Sequence, residues 1–332
     1  MSRRVSQGYE KLADLVPEGV DVDALHDLVE GDVPGEEDLD DILGRGFKVD
    51  THNAHATAPR IRPILVALAA RAVGADSVQG EAMYAAEFLH RALQVHDAAL
   101  GRQGGKRRWL ARKVVKRSVS LLSGNHLTLR ALELTRHSQP EVLSDLVDTL
   151  RSFSDGDQLL RELQSGRPPG ESDWLEHADA HTGALFSFCC RAGAWLAEAE
   201  RAQVTALGRY GRHLGRLWHI AEDVSMLEHG DGGAHLVARA LAARPILVVA
   251  LASEEHPEIA AMWKELVLNP TATRGDALYE ALQGTRALAL ARERMVQEAW
   301  TARKLVRSLP ESRYRRTLDK LARGLVKSGV GA

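Results

Sequence analysis

Cysteine is almost missing from these 332 residues: Cys189 and Cys190 are the two present, adjacent in the chain. Neighbouring cysteines rarely bridge because the geometry is strained, so a disulfide framework is excluded. A reduced, cytoplasmic chain is the expectation. Aromatic residues amount to 5%, and no run alternates β-branched with polar residues, which argues against a large sheet. Long apolar runs are lacking too. The longest, Pro245 to Ala252 (PILVVALA), is far short of the roughly 20 residues that span a bilayer. The opening MSRRVSQGYEKLADLV has two arginines but no apolar core, so no secretory signal is expected. No charge sign dominates: 43 bases face 45 acids, for a net charge of −2. That balance argues against nucleic acid as a partner.

What the chain does have is helix formers. Apolar residues make up 45%, ample for a core, and Ala, Leu, Arg and Glu dominate. The expected helices run over 63–73, 77–100, 108–136, 140–164, 172–199, 202–228, 233–252, 256–267, 274–308 and 311–328. Gly, Pro, Asp or Ser separates them, as at Gly101 to Gly105, Ser165 to Gly170, and Asn269-Pro270. No short repeat is visible, which weighs against a solenoid. The expected fold class is all-α: one large bundle around a central cavity, over 51–332. Residues 1–50 read as an adaptor segment. Short helices are expected near Gln7–Leu15 and Val22–Val29, followed by an acidic stretch from Glu30 to Asp41.

Several local patterns allow a bland and a functional reading. His177 and His181 lie four apart on one helix face, a spacing that suits metal, but no third ligand is evident. The run Arg102 to Arg117 holds eight Lys or Arg and no acid. Such runs are mostly solvated faces, although peripheral membrane contact fits them as well. Cys189 and Cys190 follow Phe186-Ser187-Phe188 and read as small core residues.

Two segments carry the strongest signal: Glu87 to Trp109, EFLHRALQVHDAALGRQGGKRRW, and Tyr210 to Met226, YGRHLGRLWHIAEDVSM. They resemble the two aspartate-rich motifs of the trans-isoprenyl diphosphate synthases (polyprenyl synthetases), roughly LIHDDxxDxxxxRRG and YxxxLGxAFQxxDDxxD. Three further stretches agree in order and spacing, so the likeness spans most of the chain after about residue 55. Ala58 to Leu65 resembles GGKRxRPxL, Ser123-Gly124-Asn125 resembles VGD, and His181-Thr182-Gly183 resembles KTG.

The resemblance implies an isoprenoid synthase fold and an isoprenoid diphosphate ligand. Arg60, Arg62, Lys106, Arg107 and His181 occupy its diphosphate-binding positions. Asp97, Glu222 and Asp223 remain of its Mg²⁺-binding acids. Ala92, Leu93, His96, Trp218 and His219 line its isoprenoid cavity. The departures are consistent. Ala98 and Gly101 replace two acids of the first motif, Met226 replaces the last of the second, and Pro59 and His181 stand for lysines.

These losses bear on the chemistry. Mg²⁺ wants near-octahedral oxygen ligands, and Asp at i and i+4 would share one ion. Asp97 with Gly101, or Glu222 with Met226, does not supply that pair. Three acids leave at most a weak Mg²⁺ site. Each lost donor or ion of this kind costs about 3 kcal/mol of transition-state stabilisation. The expectation is therefore a polyprenyl synthetase-like protein with little or no synthase activity, acting as a non-catalytic partner or an isoprenoid diphosphate binder. The alternative is an active prenyltransferase with a reduced Mg²⁺ site. The family's long central helices imply a homodimer, or a heterodimer with an intact isoprenyl diphosphate synthase.

Overall fold

A computed structural model describes residues 61–76, 78, 80–99, 110–229 and 231–330. The expected adaptor segment and its helices lie outside these residues. The described part is helical throughout. In chain order the helices are α1 Ile61–Ala72, α2 Gly80–Ala99, α3 Leu110–Thr135, α4 Pro140–Leu163, α5 Glu171–Ala178, α6 Ala184–Leu196 and α7 Arg201–His229. Then follow α8 Gly232–Leu241, α9 Leu247–Glu255, α10 Pro257–Leu268, α11 Ala272–Gln283, α12 Ala287–Val306 and α13 Arg313–Val330.

α7 is the hub, packing against α6, α12 and α13. Leu207, Tyr210, Leu214, Leu217, Ile220 and Val224 form its buried stripe. Their spacing of three or four residues is the helical period of one apolar face. Burying a Leu or Ile of this kind stabilises the fold by roughly 1.5–3 kcal/mol. The Tyr210 hydroxyl donates to the Leu318 carbonyl at 2.8 Å, which ties α13 to α7. Gly211 and Gly215 let α7 lie against the backbone of Phe186, Thr182 and Gly183. A side chain at either position would hold the helices apart.

Three expected helices are broken. The stretch expected as 172–199 contains a wide turn of π-helix at Asp179–Gly183 between α5 and α6. Such turns insert a residue and re-aim side chains. The stretch expected as 233–252 stops at Leu241 and restarts at Leu247. Pro245 disfavours helical geometry at the residue before it. Ala243 takes a left-handed φ of 51°, and the Arg244 amide donates back to the Arg239 carbonyl at 2.9 Å, the geometry of a Schellman stop. The stretch expected as 274–308 breaks at Gly284 to Arg286, between α11 and α12. The other described boundaries fall within three residues of expectation.

Candidate functional site

The second acidic motif sits on the last turns of α7. Asp223 is 1% exposed, whereas the Glu222 side chain is 48% exposed. α8 begins just beyond, capped by Asp231, whose carboxylate accepts from the Ala234 amide at 2.9 Å. This cap sets the direction of α8, and His235 and Arg239, four apart, both face α7. Arg239 donates to Asp223 Oδ1 from Nη2 at 2.7 Å and from Nε at 3.0 Å. The same Nη2 donates to Glu222 Oε2 at 3.0 Å. His235 Nε2 lies 2.9 Å from Asp223 Oδ1. Burial pushes the Asp223 carboxyl up. The Arg239 charge and the His235 hydrogen bond outweigh that and hold it well below the carboxylate range.

A histidine cluster adjoins this pair. The His219 Nε2 stands 3.9 Å from Asp223 Oδ2, and neither atom has a hydrogen-bond partner among the described residues. The His177 ring lies 5.5 Å from that of His219 and 4.5 Å from that of His181. His181, carried on the π-turn, stacks on Phe153 at 5.8 Å. Gly156 makes this stack fit: a Cβ there would come 2.8 Å from His181 Nε2. Burial is the main cause that pushes His219 down to about 4, with the Arg239 and Arg244 charges acting the same way and Asp223 against them. His177 is lowered as well, by burial first and by its histidine neighbours next. At neutral pH His219 is therefore an uncharged ring where the resemblance expects a glutamine, and His181 stands where it expects a lysine.

The remaining predicted residues divide. Arg62 is buried and donates to Glu87 at 3.2 Å, so part of its charge is already neutralised. Ala92 is buried in the core and Leu93 packs half-buried against it. His96 is half-buried against α3, where Gly124 leaves room for its ring. Trp218 meets Phe186 edge-on at 5.9 Å. Asp97 falls in the last turn of α2, with its side chain outside the description. Arg60, Lys106 and Arg107 lie outside the described residues.

Mg²⁺ fits Glu222 and Asp223 poorly as they stand. Asp223 Oδ1 already accepts three hydrogen bonds, and Arg239 would sit beside any ion that took the pair. No group of three or more potential metal ligands occurs among the described residues, and the His177–His181 pair gains a ring neighbour in His219 rather than a ligand set. Sequence reasoning missed Arg239, His235 and Arg244. The i, i+4 spacing of His235 and Arg239 after the Gly-rich break was the available signal. Nothing local marked Arg244, which the Schellman stop turns toward the histidines.

The pattern of the polyprenyl synthetases matches residues 48–229. The chain belongs to the polyprenyl synthetase family. It is 26% identical over 274 residues to the octaprenyl diphosphate synthase of Haemophilus influenzae, covering 79% of this chain and 82% of that one. It is 27% identical over 293 residues to an all-trans-nonaprenyl-diphosphate synthase of Rhodobacter capsulatus, covering 83% and 87%. The fold agrees with the polyprenyl synthase of Caulobacter crescentus, solved with calcium and isoprenyl diphosphate. There the TM-score is 0.73 at 26% identity, over 94% of this chain and 99% of that one. The isoprenoid synthase fold expected from the sequence is thus present. No described helix is long and apolar enough to cross a membrane.

Proposed function

We propose that this family member binds an isoprenoid diphosphate and has little or no synthase activity, serving as a non-catalytic partner subunit or a prenyl diphosphate binder. One observation carries the reading: Arg239 occupies the acid pair that opens the second motif. A guanidinium there takes the place of a divalent ion as counter-charge. It binds carboxylates through fixed donors and keeps its charge when buried. The replacement of the family pattern's lysine by His181 supports the same reading. Diphosphate recognition then falls to Arg60, Arg62, Lys106 and Arg107, since arginine holds phosphate oxygens through parallel donors.

The second reading, an active prenyltransferase with a reduced Mg²⁺ site, draws on the relatives, several of which are named as diphosphate synthases. Turnover separates the two. Purified protein with Mg²⁺, an allylic diphosphate and isopentenyl diphosphate is expected to show no chain elongation. Steady product formation, abolished by Asp97→Ala, establishes the enzyme instead. Calorimetry supplies the binding arm. Prenyl diphosphate affinity is expected to fall only slightly with EDTA and by about 1.5–3 kcal/mol in Arg60→Ala, the worth of a charged hydrogen bond. Binding that vanishes on chelation and returns with Mg²⁺ replaces this reading with the active enzyme.

A further inference from the structure

α7 carries no acid between Glu200 and Glu222, although acids slightly outnumber bases in the chain as a whole. Arg201, Arg209, Arg212 and Arg216 fall along one side of it. α6 adds Arg191, and these five guanidiniums line one groove of about 630 Å³ together with His213. A single carboxylate, Glu141 at the start of α4, joins the lining. The volume is that of a small-molecule site, typically about 300–1,000 Å³.

The groove is built rather than merely charged. Arg191 pairs with the buried Asp145, whose second oxygen accepts from Trp195 Nε1 at 2.9 Å. Gly208 stands where the Arg191 stem crosses α7: a Cβ there would lie 2.7 Å from its Cγ and Cδ. Arg216 donates twice to Asp179, at 2.5 and 2.6 Å. His213 Nδ1 sits 2.6 Å from Glu298 Oε2. The anchoring carboxylates Asp145, Asp179 and Glu298 are not among the residues that line the groove. Arg201, Arg209 and Arg212 are exposed and have no carboxylate partner among the described residues. Three guanidiniums thus face one carboxylate across a concave space, a focus of positive potential.

We propose that this groove is a second phosphate-recognising site, distinct from the histidine cluster, for a ligand carrying two or more linked phosphates. Guanidiniums match phosphate oxygens through two parallel donors, and holding Arg191 and Arg216 in advance lowers the ordering cost of binding. The excess of cations over the single carboxylate suits a polyphosphate better than one carboxylate or one phosphate. Two sources share this chemistry: a free polyphosphorylated molecule and a phosphorylated lipid headgroup.

The test is calorimetry of the full chain with inorganic tripolyphosphate. The variants are Arg209→Ala/Arg212→Ala, both at exposed positions, and Arg60→Ala in the proposed prenyl diphosphate site. Circular dichroism checks that each is folded. Binding is expected to weaken about tenfold or more in the groove variant, as loss of charged hydrogen bonds implies, and to persist in Arg60→Ala. Sedimentation with phosphatidylcholine vesicles, with and without phosphatidylinositol bisphosphate, assigns the source. Groove-dependent binding to the anionic vesicles without tripolyphosphate binding points to a lipid headgroup. Loss in Arg60→Ala but not in the groove variant overturns the proposal, as does binding to neither probe.

Discussion

Arg239 Nη2 lies 2.7 Å from Asp223 Oδ1 and 3.0 Å from Glu222 Oε2, so one guanidinium serves both acids at the start of the second motif. Asp223 is 1% exposed, which makes this pairing as much a condition of folding as a feature of the site.

Arg239→Ala leaves Asp223 buried without its main counter-charge. Breaking a buried pair in this way costs about 3–5 kcal/mol, and the urea midpoint should drop accordingly. Arg239→Gln keeps a shorter, uncharged polar side chain and frees the carboxylates for an ion. Its melting temperature should rise with Mg²⁺ while that of the parent protein stays put; equal shifts in both would show that Arg239 does not compete with the metal.

Acid should weaken the fold well before the ordinary carboxylates titrate. His219 is pushed down to about 4 in the folded chain, chiefly by burial, and His177 moves the same way. An unfolded histidine titrates near 6.5. Between those values the unfolded chain binds a proton that folded His219 refuses, so stability falls as the pH falls from about 6.5 through about 4. The His219 share is roughly 3 kcal/mol at most. Urea unfolding at a series of pH values should show this slope, and His219→Gln should flatten part of it.

Gly156→Ala sets two effects against each other. Alanine in a helix interior gains up to about 1 kcal/mol over glycine. The new Cβ, however, would meet His181 Nε2 and Ala180 Cβ at 2.8 Å, and overpacking costs about 1–3 kcal/mol. Net destabilisation is expected, with recovery in the Gly156→Ala/His181→Ala double variant. Equal effects of Gly156→Ala with and without His181 would rule out the wedge.

Association is the expected fate of the outer face of α3. Leu122 and Leu129, seven residues apart, are 68% and 58% exposed, and Leu121 beside them is 41% exposed. We expect a homodimer, or a heterodimer with an intact synthase, held by this face. Light scattering should report a dimer that Leu122→Glu/Leu129→Glu converts to monomer. A monomeric parent protein that captures no synthase counts against it.

Helical class, bundle architecture and most helix ends were legible in the sequence, because periodicity, Pro and Gly act locally. Pro140 opens α4 and Pro257 opens α10, each at the first helical position. The breaks at 179–183 and 284–286 were not legible. A π-turn arises from what its side chains must reach, here Arg216 for Asp179 and Phe153 for His181.

The sequence by itself determined which residue types stand where the resemblance expects acids and lysines, since a residue type is read directly. What replaced them only the tertiary structure decided. Arg239 lies sixteen residues beyond Asp223, and the capped turn into α8 folds it back onto the acid. His177, His181 and His219 come from two helices and a π-turn that meet only when Gly156 and Gly215 let them close. Charge compensation depends on distance in space, and a one-dimensional order of residues does not contain it.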